Sequence, residues 1–258
     1  MRRAIDDLIL CLIFFTRLPA RWRGDLPPQR ITQALRLSPI VGAAVGGMVG
    51  GIYAVLELAG LAPIACAAVA VAAGLALTGA FHEDGLADTF DGLGGGATPE
   101  RKLEIMRDSR VGSYGAAALI MALLVKVALI VDLDDPRTTP IVLAAAGAMA
   151  KAVSVVLMHA TPPARADGRS AEAGRPGWAE TATAAVLGLI ATAGAAIALD
   201  APFAILTAVA AAAAAGLGVR VLAMRHVGGQ TGDILGATQQ ASELATMLAF
   251  ALTLKISH

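Results

Sequence analysis

Charge is scarce in this 258-residue chain. Asp, Glu, Lys and Arg make up 16% of it, and 57% of the residues are hydrophobic. Soluble domains carry about 25% charged residues, so a soluble protein is excluded in favour of a membrane-embedded one. Neither sign dominates, because 20 basic residues cancel 20 acidic ones. Without a basic face, nucleic acid is not expected as a partner. Cysteine is limited to Cys11 and Cys66, far apart and in apolar surroundings. That argues against a disulfide framework or a thiolate metal site and leaves two packing residues. Walker, zinc and Ser-His-Asp patterns are absent, and so is strand-type alternation. The apolar run Leu8 to Phe15 is preceded by Asp6 and Asp7 and lacks a cleavage site after it. It reads as an interfacial helix rather than a leader.

What the chain has is long apolar runs. A spanning helix needs about 20 mostly apolar residues. Candidate spans are Ser38–Leu58, Leu61–Phe81, Gly115–Val131, Thr138–Met158, Ala182–Leu199, Pro202–Met224 and Ala241–Ile256. The expectation is an all-α, polytopic bundle of about seven transmembrane helices. Basic residues precede the first span (Arg17, Arg21, Arg23, Arg30, Arg36). They follow the second (Arg101, Lys102, Arg107, Arg110) and the fourth (Arg165, Arg169, Arg175), and Arg225 precedes the last. The alternate connections are short, and Asp132 to Arg137 is acidic. By the positive-inside rule the N-terminus and the basic loops are cytoplasmic and the C-terminus lies outside. The whole of 1–258 is read as one domain. It comprises an interfacial segment 1–37, a cytoplasmic acidic segment 82–114 and a second cytoplasmic polar loop 225–240. The run Gly42, Gly46, Gly47, Gly50, Gly51 suits close helix packing.

The stretch FHEDGLADTFDGLGGG, residues 81–96, carries the chemistry. Asp84, Asp88 and Asp91 are spaced i, i+4, i+7, which places three carboxylates on one helix face. Like charges at that spacing repel unless a cation or a basic partner sits against them. Hard oxygen ligands suit Mg²⁺, with Mn²⁺ the alternative. Acids at the membrane surface are costly and usually functional. Gly94 to Gly96 read as a flexible loop, and Thr98 with Pro99 as the start of a helix. That helix ends in Arg107-Asp108-Ser109-Arg110. Arg107, Ser109 and Arg110 read as a phosphate grip, and Asp108 as a further ligand.

A second polar segment, GGQTGDILG at 228–236, offers Gln230, Thr231 and Asp233 to a ligand. Glu243 lies just inside the last span and needs a partner. Lys126 either snorkels or pairs with a carboxylate. Lys151, near one end of the fourth span, is placed to reach a substrate phosphate. His82 adjoins the acids and reads as a base or a metal ligand. His159 and His226 read as interfacial residues.

Carboxylates, paired arginines and glycines at a membrane face are the parts of metal-assisted phosphoryl transfer. The alternatives are an ion-coupled transporter using the acids as its cation site, and a scaffold with no chemistry. Against transport, the acids cluster at one surface rather than at the midplane.

Nearly the whole chain resembles the membrane-bound cobalamin-5'-phosphate synthases (adenosylcobinamide-GDP ribazoletransferases). The resemblance rests on FFTRLP, Ser38-Pro39-Ile40-Val41-Gly42, FHEDGLADTFDG, RKLEIMRDSRVGSYG and GGQTGDILGA, followed by Glu243. Two positions depart from the family's pattern: Glu83 stands where an apolar residue is usual, and Lys151 where many members have Arg. The resemblance implies Mg²⁺ and two substrates, adenosylcobinamide-GDP and α-ribazole or its 5'-phosphate. The products are adenosylcobalamin or its 5'-phosphate, plus GMP. It implies a multi-pass protein of the cytoplasmic (inner) membrane, with the lipid bilayer as partner and the site facing the cytoplasm. On this reading Asp84, Asp88, Asp91 and Asp108 hold the metal, and His82 or one of the acids moves the proton. Arg107, Ser109, Arg110, Lys151, Gln230, Thr231, Asp233 and Glu243 bind substrate. The Gly-rich faces leave room for a homo-oligomer or for association with other cobalamin-assembly enzymes.

Overall fold

The computed structural model describes residues 2–20, 22, 28–165 and 174–257. Of the basic residues used to orient the chain, Arg21, Arg23 and Arg169 lie outside this set. Every regular element described is helical. They run α1 Arg2–Phe15, α2 Pro28–Ala34, α3 Ser38–Leu58, α4 Pro63–Thr78, α5 Phe81–Gly95 and α6 Pro99–Ile105. They continue with α7 Ser113–Leu133, α8 Thr138–Ala160, α9 Trp178–Ala198, α10 Phe203–Val227 and α11 Gly232–Ser257.

All seven apolar segments are helical, yet only five helices among the described residues are long and apolar enough to span. These are α3 with α2 ahead of it, α7, α8, α9 and α10; a sixth is reached if α4 and α5 are taken as one broken span. The other two expected spans differ for separate reasons. At 16 residues α4 is about 24 Å long, short of a hydrocarbon core of about 30 Å. It stops because Gly79 (φ +65) and Ala80 (φ +53) are both left-handed, and the Ala80 amide returns to the Leu75 carbonyl. Ala80 carries roughly 1–2 kcal/mol of strain there. The chain then turns by 89°, and α5 packs along α7 and α11, with Glu83 beside Lys126 and Asp91 beside Gly115. Helix α11 is long enough, at 26 residues, but its first half buries Thr238, Gln239, Gln240 and Ser242. The expected loop at 225–240 is therefore a turn at 228–231 followed by helix.

Small residues bring the central helices together. A Cβ at Gly42, Gly46 or Gly50 of α3 would run into backbone of α8 at Gly147, Leu143 or Pro140. The glycine run is thus a packing seam. Cys11 and Cys66 are buried and unpaired by disulfide, as their surroundings suggested. At the N-terminus, Leu10, Cys11 and Phe15 of α1 pack with Val41, Val155, Met158 and Ala184. Asp7, 1% exposed, pairs with Arg30 and with Arg36 at 2.6 Å, which ties α1 to the segment leading into α3.

Candidate active site

Helix α5 has two chemically different faces. His82 and Glu83 point into the bundle and are buried, Asp84 is exposed, and Asp88 is partly buried. Asp91 departs from the expected stripe. It is 7% exposed and accepts from the amides of Gly112 (2.7 Å) and Gly115 (2.8 Å). Those amides are the unsatisfied donors at the start of α7, so Asp91 caps that helix and the positive end of its dipole stabilises the carboxylate. The stripe of three is a pair plus a cap. Gly112 and Gly115 are required here because a Cβ on either would strike the Asp91 carboxylate.

The glycine stretch after α5 is also less open than its composition suggested. Helix α5 continues through Gly95, and Lys102 Nζ donates to the carbonyls of Leu93 (2.8 Å) and Gly96 (2.6 Å). A cation at a helix C-terminus satisfies the last carbonyls. Thr98 caps α6 as its sequence implied, with its hydroxyl accepting from the Arg101 amide at 3.3 Å.

The second polar segment meets α5. Gln230 exchanges backbone hydrogen bonds with the segment after α8, to Pro162 O (2.8 Å) and from Ala164 N (2.9 Å). The Thr231 hydroxyl accepts from the Ile234 amide at 3.3 Å and donates to Asp233 Oδ2 at 3.2 Å, which starts α11. A Cβ on Gly85 would come 2.9 Å from Asp233 O and 3.3 Å from Gly236 Cα. This glycine contact sets Asp233 against Asp84 and Asp88. Burial, then Asp84, Asp233 and Asp91, push the Asp88 carboxyl up to about 7. Burial and Asp84 also raise Asp233, while Arg165 and Thr231 oppose the rise. Arg165 stands 3.8 Å from Asp233.

Not all the expected residues gather here. Asp108 is gripped by Arg110 at 2.6 Å, which holds its carboxyl down to about 2. Its charged neighbours are Arg110 and Arg101, and none of the α5 acids acts on it. Arg107, Ser109 and Arg110 are exposed on the link between α6 and α7. Among the described residues no three acids, histidines or cysteines converge tightly enough to cage an ion. That suits an ion held by one or two carboxylates with water and substrate phosphate completing its shell, which is how Mg²⁺ is commonly bound.

His82, Lys151 and Glu243 were expected at the reacting face and lie instead beneath α5. Lys151 Nζ is 2.6 Å from His82 Nε2 and 3.2 Å above the centre of the Phe15 ring. The His82 ring stacks on Phe15 at 5.7 Å. Glu243 Oε1 lies 3.2 Å from Lys126 Nζ, and Glu83 Oε1 lies 3.7 Å from it. Gln240 Nε2 donates to Glu83 Oε1 at 2.9 Å. These side chains line a cavity of about 60 Å³ together with Gly42, Gly46 and Leu143. Gln240 is the link from α11 to the inner face of α5, while Glu83 Oε2, Gln239 Oε1 and Gln240 Oε1 are buried without a hydrogen-bond partner. Lys126 pairs with carboxylates, one of the two roles its sequence position allowed. Sequence reasoning missed Arg165 beside Asp233 and Phe15 beneath Lys151. The only available signal for either was the position of FFTRLP and of the basic loop after α8.

A model of the family described as cobalamin-5-phosphate synthase matches residues 7–251. The chain belongs to that family. Its relatives include proteins named adenosylcobinamide-GDP ribazoletransferase. That of Mesorhizobium japonicum is 41% identical over 98% of this chain and 95% of its own length. Those of Bradyrhizobium diazoefficiens (97% and 95%) and Azorhizobium caulinodans (95% and 95%) are each 40% identical. No solved structure matches. As a member of the cobalamin-5-phosphate synthase family the chain is a transferase of cobalamin biosynthesis built of apolar helices. A transferase thereby displaces a transporter as the reading of the chain.

Proposed function

We propose that this protein joins adenosylcobinamide-GDP to α-ribazole or α-ribazole 5'-phosphate at the cytoplasmic face of the inner membrane, with Mg²⁺ held by one or two carboxylates of the group Asp84, Asp88 and Asp233 and completed by water and substrate phosphate. The observation that carries the metal reading is the meeting of α5 and α11, two segments far apart in sequence. There burial and then its acidic neighbours push the Asp88 carboxyl up to about 7, and Arg165 stands 3.8 Å from Asp233. Acids brought together from two helices are stabilised by a divalent cation. All its donors are hard carboxylate oxygens, which favours Mg²⁺. Asp91 and Asp108 are committed to the α7 amides and to Arg110, so they leave the ligand set.

A bound Mg²⁺ would offset charge on the diphosphate of adenosylcobinamide-GDP. The rest of the work falls to the chain. A ribose hydroxyl of α-ribazole attacks the phosphorus next to cobinamide. An O–P bond forms, the bond to the GMP oxygen breaks, and the hydroxyl proton passes to a carboxylate of the cluster. His82 is turned onto Lys151 and away from that face. Arg165, Arg107 and Arg110 stand at the same end of the bundle and suit the phosphates. Arg165 reaches α6 through the Leu103 carbonyl at 3.3 Å. The gathering of these arginines at one end supports a cytoplasmic location for the site.

The test is GMP release by purified protein in detergent, where no gradient exists. Asp84→Asn and Asp233→Asn in folded protein are expected to lower turnover by about 10²-fold or more at saturating Mg²⁺, the scale of loss when charge stabilisation is removed. Parent-level turnover in both variants would sink the assignment.

A further inference from the structure

The acidic site is built from two helices, each of which brings carboxylates to it. Asp84 and Asp88 lie on α5 and Asp233 on α11, where Gly85 of α5 packs against the Asp233 backbone. Besides that contact, a second link between these helices lies on the opposite side of α5. Lys126, from the middle of α7, sets its ammonium between Glu83 of α5 (3.7 Å) and Glu243 of α11 (3.2 Å). Gln240 of α11 donates to the same Glu83 oxygen at 2.9 Å. Lys126, Glu83 and Gln240 are 8%, 6% and 2% exposed, so this linkage works where water screens little. Glu83 is adjacent in sequence to Asp84, and a shift in one moves the other.

We infer that Lys126 is a positioning residue for the metal site. Its charge clamps Glu83 to Glu243 and thereby fixes the separation of Asp84 and Asp88 from Asp233. Without it, Glu83 keeps its hydrogen bond from Gln240 but no cation stands between it and Glu243, and their repulsion adds to that of the aspartates above. The inner clamp and a divalent ion on the outer face oppose the same separation from opposite sides. Metal affinity therefore depends on a side chain that does not touch the metal. The inference rests on the proposed metal reading of the acids.

The experiment titrates Mn²⁺ into purified protein in detergent by electron paramagnetic resonance. It is paired with the Mg²⁺ dependence of GMP release and with thermal unfolding. Lys126→Met is expected to weaken Mn²⁺ binding by about 10- to 100-fold, the range found when supporting groups around metal ligands are removed. Turnover at saturating Mg²⁺ should fall by less than the affinity does. Lys126→Arg keeps the charge and should restore binding close to the parent. If Lys126→Met does not fold, Gln240→Leu removes a hydrogen bond onto Glu83 without stranding a whole charge. It is expected to shift the Mn²⁺ affinity in the same direction by a smaller factor. Unchanged Mn²⁺ affinity in folded Lys126→Met would overturn the inference, as would equal weakening by Met and Arg. Where Lys126→Met does not fold, parent affinity in Gln240→Leu overturns it. Asp84→Asn and Asp233→Asn separate the two ideas. If neither alters Mn²⁺ binding, the metal reading itself fails. If both weaken it while the Lys126 variants do not, only the positioning role fails.

Discussion

The two faces of α5 treat charge in opposite ways. On the inner face Glu83 meets a charge of opposite sign in Lys126, and His82 meets Lys151 through a hydrogen bond, each lysine coming from a different spanning helix. On the outer face Asp84 and Asp88 meet another acid, Asp233. Inside the bundle an unpaired charge costs several kcal/mol, so the interior is filled with partners. The outer face bears a repulsion that the fold has not removed, although Lys or Asn at any of these positions would relieve it. The difference separates the residues that assemble the site from those that meet a ligand, and it redistributes roles that the sequence pattern had placed together.

The largest effect should come from neutralising the outer face. Asp88→Asn is expected to lower GMP release by about 10²-fold or more, yet to leave the metal-free fold as stable or more so. The sign follows from the raised carboxyl. In the folded protein Asp88 ionises near 7 instead of 3.8, so its ionisation opposes folding. That penalty is absent below pH 3.8, grows as pH rises, and is complete above about 7. Thermal unfolding without metal should therefore show Asp88→Asn gaining on the parent between pH 5 and about pH 8. A variant that loses stability as pH rises would show that Asp88 is paired in the fold, and the contrast between the faces would collapse.

Much of the architecture was legible because helix length, hydropathy and capping are local properties. Ser38–Leu58 was read to the residue, and Thr98 was read as a cap. The acids of α5 were legible as a set, but not their division. Asp84, Asp88 and Asp91 share a spacing that makes them equivalent on an isolated helix, and only the approach of α7 singles out Asp91. Lys151 and Glu243 looked like substrate ligands because a lone charge near a membrane surface asks for a partner. Their partners, His82 and Lys126, lie on other helices, and nothing in the spacing reveals that. The length of α4 was misjudged for a backbone reason. Two consecutive left-handed residues ended it at a place where hydropathy ran on.

A smaller effect is expected from closing the gap between α5 and α11. Gly85→Ala puts a Cβ 2.9 Å from the Asp233 carbonyl, where backbone must move on one side or the other. Such overpacking costs about 1–3 kcal/mol. It should also weaken Mn²⁺ binding, because it displaces Asp233 from Asp84 and Asp88. Parent-like binding with a lowered melting temperature would show that the glycine contact serves packing alone. Asp91→Ala should lose about 1–2 kcal/mol, the cost of a helix cap, while Mn²⁺ affinity stays near the parent. If Mn²⁺ binding instead falls as it does for Asp84→Asn, Asp91 belongs with the outer-face ligands.

The smallest effect on the fold is expected at Asp108 and Arg110, which are exposed and bonded to each other at 2.6 Å. Exposed pairs contribute little to stability, so Asp108→Asn should leave the melting temperature almost unchanged. Its consequence should appear in substrate binding. Freed from Asp108, the Arg110 guanidinium can turn its planar fork to a phosphate. Asp108→Asn is then expected to lower KM for adenosylcobinamide-GDP modestly at unchanged Mn²⁺ affinity, and Arg110→Ala to raise it. A loss of Mn²⁺ binding in Asp108→Asn would instead return Asp108 to the metal. It would require the link between α6 and α7 to fold over the outer face of α5 once the ion is bound, making the site a structure completed by its ligand.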